Sequence, residues 1–166
     1  MDLRTVQRPL KERYRADAGS ARIILRATSR TGDTPVACSV DIGRAVYEAQ
    51  AHAGVGGAGT AACSGDLLLG ALAACAQVTC QMVGAAMSIA LRDVQVEVEG
   101  ELDLRGTLGL ARDVPVGFES IRTTFKVDAP DATPEELAAL AEKTERYCVV
   151  LQTLSGGPRL ESSWDT

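Results

Sequence analysis

The chain has 166 residues, 46% hydrophobic and 23% charged, which suits one ordinary domain and excludes a wholly disordered polymer. Seventeen basic residues against 22 acidic ones leave a net charge of −5, so no basic surplus exists to displace counterions from nucleic acid. A single histidine, His52, excludes multi-histidine zinc sites and two-histidine iron sites built within one chain.

Residues 1–18 read as a polar N-terminal arm, and 19–166 as a single domain with no repeat or linker dividing it. The arm has no apolar h-region, so no secretory leader is expected. Two strands are predicted at Ala21–Ser29 and Thr34–Ile42, followed by a third segment at Arg44–Ala51. His52–Ala62 (HAGVGGAGTAA) is too glycine-rich for regular structure and lacks the Gly-Lys-Ser ending of a phosphate loop, so it reads as a connection.

A long helix opens at Ser64, the expected N-cap, with Asp66 complementing the positive end of the helix dipole. It runs to about Ser88. Leu67–Leu91 contains no charged residue, which is long enough to span a bilayer, but its polar Gln77, Thr79, Gln81 and Ser88 and its unflanked ends favour a helix at the centre of a soluble fold. No membrane association is expected.

Val94–Leu104 (VQVEVEGELDL) and Phe118–Val127 (FESIRTTFKV) alternate apolar and polar residues, as half-buried strands do. Thr133-Pro134-Glu135-Glu136 is a capping box with proline at the first helical position. Leu137, Leu140, Ala141, Thr144, Cys148 and Leu151 then form the buried stripe of a second long helix. Gly156-Gly157-Pro158 ends it, and Arg159–Trp164 is expected as a last short strand. The order βββ–α–ββ–α–β defines an α+β class with largely antiparallel sheets.

Five cysteines, Cys38, Cys63, Cys75, Cys80 and Cys148, contain no C-x-x-C and match no zinc or iron–sulfur spacing. Their odd number points to free thiols in the cytoplasm, with no metal or cofactor expected. Cys75 and Cys148 lie in the two long helices, 73 positions apart, and helix contact would bring both thiols into one apolar pocket. Cys80 lies about 140° around the helix from Cys75 and reads as packing. Cys38 reads as a core residue, and Cys63, just before the helix cap, as a weaker redox candidate.

Two segments around those thiols resemble the OsmC/Ohr family of osmotically induced and organic hydroperoxide resistance proteins. Ser64-Gly65-Asp66-Leu67-Leu68-Leu69-Gly70-Ala71-Leu72-Ala73-Ala74-Cys75 is similar to the family's acid-L-L-x-x-L-A-A-C helix. Glu145-Arg146-Tyr147-Cys148 is similar to the segment before its second cysteine. The resemblance covers residues 20–165 and implies an intertwined homodimer, with antiparallel sheets wrapped around two long central helices. It implies a thiol peroxidase for organic hydroperoxides, with Cys75 peroxidatic, Cys148 resolving and a lipoyl-type or other small dithiol as reductant.

Relatives supply an arginine, held by an acid, to keep the first thiol ionised. Arg22, Arg26 and Arg44 precede the helix; Arg44 is the candidate cation and Asp66 its candidate acid. Gly65 stands where the hydroperoxide-resistance branch has glutamate, and Val149 where many relatives have proline. These departures leave an alternative, a non-catalytic protein that holds an apolar ligand in the same dimer pocket with inert thiols.

Overall fold

The alternation read between residues 94 and 127 becomes a two-stranded sheet in the computed structural model, which describes residues 3–17, 22, 24, 28–31, 37–41 and 46–165. The helices are α1 (Leu3–Ala16), α2 (Ser64–Met87), α3 (Leu104–Thr107), α4 (Pro134–Tyr147) and α5 (Val149–Gly156). The strands are β1 (Thr28–Thr31), β2 (Ala37–Asp41), β3 (Val46–Gln50), β4 (Asp93–Glu101) and β5 (Ser120–Asp128). Strands β1, β2 and β3 form an antiparallel meander in which Thr28 faces Asp41 and Ala37 faces Gln50.

The chain divides into two compact units, Met1–Gly70 with Val98–Arg122 and Ala71–Glu97 with Thr123–Thr166. In the second unit a core forms from Cys80, Val83, Ile89, Val94, Ala129 and Leu140, with Val96, Phe125 and Val127 packed against it. The inward positions of β4 and β5 supply this apolar side, while Gln95, Glu97, Thr124 and Lys126 between them face water.

Helix α2 follows the expected span. Its cap lies one residue earlier than Ser64: the Asp66 carboxylate accepts the Cys63 N–H at 2.8 Å, and the Cys63 carbonyl accepts the Leu67 N–H. The helix ends where Ser88 adopts a left-handed φ of 63°. The Ile89 N–H then reaches the Gly84 carbonyl and the Ser88 N–H the Ala85 carbonyl, closing a Schellman motif. A side chain at Gly84 would collide with Leu91, so the returning chain packs directly on helix backbone.

Several expectations give way. The second helix is broken, because Cys148 takes an extended conformation (φ −72°, ψ 106°) that ends α4 and starts α5. Its buried stripe is narrower than read, since Leu140, Thr144 and Cys148 are buried while Leu137 and Ala141 face solvent. Residues 159–164 form no strand; Leu160 and Trp164 are exposed, and among the described residues no strand pairs with them. Strand β1 runs past its expected end at Ser29 to Thr31, because Ser29–Thr31 find ladder partners in Cys38–Val40. Residues 21, 23, 25–27, 32–36 and 42–45, in and between the expected strands, lie outside the described residues.

Candidate active site

Helix α2 buries Leu72, Ala76, Cys80 and Val83 on one side, which leaves Cys75 half-buried on the flank of that face. Thr79, one turn further, shares the flank because residues four apart stack along a helix. Its Oγ1 lies 4.0 Å from the Cys75 Sγ. The other wall is the α4–α5 joint. Cys148 is 1% exposed, its N–H is held by the Thr144 carbonyl at 3.0 Å, and its side chain makes no capping bond to α5. The first turn of α5 is thereby left to other acceptors.

The amides of that turn act on the Cys75 sulfur. Burial pushes its thiol up, but the Val150 N–H, the Cys148 thiol, the Thr79 hydroxyl and the Val149 N–H all favour the anion, and the sum lies below the ordinary thiol value. Backbone N–H groups opening a helix suit an anion because their dipoles point at it. Cys148 moves the other way: burial raises it most, the Leu151 and Val150 N–H groups work against that, and its hydrogen bond and charge contact with Cys75 raise it further. The pair is therefore polarised, with a more acidic, half-exposed sulfur beside a less acidic, buried one. Both are free thiols.

The other expected participants are placed as follows. Asp66 sits at the start of α2, its carboxyl held below the usual value by the Cys63 N–H and thiol. Arg22 is exposed, and Arg26 and Arg44 lie outside the described residues. Cys80 is buried and its thiol is pushed up by burial, with the Thr144 hydroxyl as neighbour; among the described residues that hydroxyl has no conventional hydrogen-bond partner. The His52 Nδ1 accepts the Gly54 N–H at 3.0 Å and caps the 3₁₀ turn Ala53–Val55. Strand β2 contains Cys38, whose side chain lies outside the described residues. Among the described residues no three His, Cys, Asp or Glu side chains cluster to hold a metal.

A thiolate touching a thiol can be oxidised to a sulfenic acid and condense to a disulfide without metal or histidine. Three donors escaped the sequence reading. The i, i+4 spacing of Cys75 and Thr79 was visible, but Val149 and Val150 act through the backbone and leave no side-chain signal.

The family described as OsmC-like protein matches residues 57–163. An OsmC-like protein from Mycoplasma pneumoniae has a similar structure, with TM-score 0.68, 16% identity, and coverage of 81% of this chain and 89% of that one. An organic hydroperoxide resistance protein from Elizabethkingia anophelis gives 0.61 at 21% identity, covering 82% and 91%. One from Legionella pneumophila gives 0.60 at 20%, covering 82% and 92%. At these identities the likeness shows a shared fold of mixed helix and antiparallel sheet. No curated protein matches the chain.

Proposed function

Because the chain belongs to the OsmC-like protein family, we propose that it is a thiol peroxidase acting on organic hydroperoxides. The polarised contact between Cys75 and Cys148 carries this reading. The Cys75 thiolate attacks the peroxide oxygen: an S–O bond forms, the O–O bond breaks, and the alkoxide leaves as alcohol after taking a proton from water. Cys75 is now a sulfenic acid. The Cys148 thiol condenses with it, forming a disulfide and releasing water. A small dithiol, lipoyl-type in our reading, returns both sulfurs to thiols and becomes a disulfide itself.

Arg44 enters this reading as the cation that the resemblance implies, and Asp66 as its acid. The neutral donors around Cys75 lower the demand on that cation, so Arg44 serves to strengthen the anion rather than create it. The protein acts in the cytoplasm as a homodimer. The dimer is supported by an apolar, exposed row on α2: Ala71, Ala74, Val78, Met82 and Ala86.

Stopped-flow measurement of thiol loss with cumene hydroperoxide tests the assignment. Wild type should consume the peroxide rapidly, Cys75→Ser should not, and Cys148→Ser should stop at a sulfenic acid that dimedone traps. Undiminished consumption by Cys75→Ser would sink the assignment. A Cys75 inert to both peroxide and iodoacetamide, in protein carrying a co-purified apolar ligand, would favour the binding role instead.

A further inference from the structure

Of the four groups that favour the Cys75 anion, three belong to the segment 148–150 and one, Thr79, belongs to the helix that carries Cys75 itself; the Thr79 Oγ1 lies 4.0 Å from the Cys75 Sγ, and either atom can donate across that contact. The distinction matters because Cys148 must turn its sulfur from donating a proton to forming a bond. The neighbouring Val149 and Val150 N–H groups are tied to that residue through the start of α5. Thr79 is tied to nothing that moves in this step. It sits one turn along the same α-helix, and its β-branched side chain has few rotamers to lose, so its hydroxyl stays beside the sulfur at little entropic cost. A helical threonine hydroxyl otherwise donates to the carbonyl four residues back, here that of Cys75, and a small rotation moves it between carbonyl and sulfur.

We propose that Thr79 is the fixed hydrogen-bond donor to the reacting sulfur of Cys75, holding it as a thiolate for attack on the peroxide independently of the Cys148–Val150 segment. This rests on the peroxidase reading of the site for its chemistry, but not for its test. In the peroxide step the hydroxyl keeps its proton throughout; it stabilises the sulfur while the S–O bond forms and the O–O bond breaks. The titratable neighbour of that sulfur among the described residues is Cys148, so the experiment is run with and without it.

The experiment measures iodoacetamide alkylation of Cys75 against pH in the reduced full-length protein, read at the Cys75 peptide by mass spectrometry. Thr79→Val removes the hydroxyl and keeps the shape; Thr79→Ala removes it without the β-branch; Thr79→Ser restores it. Both deletions should raise the pH midpoint of alkylation and slow the neutral-pH reaction roughly threefold to tenfold, the net worth of one hydrogen bond. Thr79→Ser should track wild type. In a Cys148→Ser background, where one donor of the competing set is altered, the effect of Thr79→Val should grow. Coincident profiles for wild type and both deletions, in both backgrounds, overturn the proposal. So does a Thr79→Ser profile that follows Thr79→Val. A wild type that alkylates with the expected shift in Thr79→Val yet ignores cumene hydroperoxide removes the peroxidase reading and leaves the role of Thr79 standing.

Discussion

Three cysteines of the second unit receive three different treatments. Cys75 is acidified by its neighbours, Cys148 is buried and keeps its proton in a hydrogen bond to Cys75, and Cys80 is a packing thiol raised by desolvation. The resemblance of two short segments pointed to the first two. Residue type alone could not, since a buried cysteine and a reactive one look the same in sequence. The signs have a measurable consequence for the reduced protein. A lowered thiol adds stability as pH rises through its folded value, while a raised one removes stability as pH climbs past the ordinary thiol range toward its folded value. The reduced protein should therefore lose melting temperature on the alkaline side. Cys80→Ala should flatten that loss even if it lowers melting overall, and an unchanged alkaline slope would contradict the burial effect assigned to Cys80.

Among elements, the best-read were those whose ends carry their own chemistry. Thr133 and Glu136 form the reciprocal capping box at 3.2 and 2.9 Å, and α2 spans the segment expected of it. Thr133→Ala should cost about 1 kcal/mol in denaturant unfolding, the usual worth of an N-cap. The break at Cys148 was not legible, because Leu151 continues the apolar spacing and Val149-Val150 disfavours a helix only slightly. The extended Cys148 already suits a following proline, and position 149 is the first of α5. Val149→Pro should therefore keep stability within about 1 kcal/mol while removing one N–H from the sulfur. Its Cys75 alkylation midpoint should rise; a lower or unchanged midpoint would deny that N–H its role.

At the level of the whole molecule, the antiparallel and helical content was readable from alternation and periodicity, whereas the fate of residues 159–164 was not. A strand needs an edge to pair with, and sequence pattern does not say where that edge is. The exposed α2 row likewise looks like core in sequence, yet Val78 is 55% and Met82 43% exposed in the single chain. Covering it with a second copy is the homodimer we propose. Sedimentation of the wild type should report a dimer, and Met82→Glu should shift it toward monomer at micromolar concentration; a wild-type monomer would refute this arrangement. Two of the groups acidifying Cys75 are main-chain amides, which every residue but proline supplies whatever its side chain. Any substitution at 149 or 150 other than proline thus keeps both amides in place, so a reading of side chains alone passes over two of the groups that act on the Cys75 sulfur.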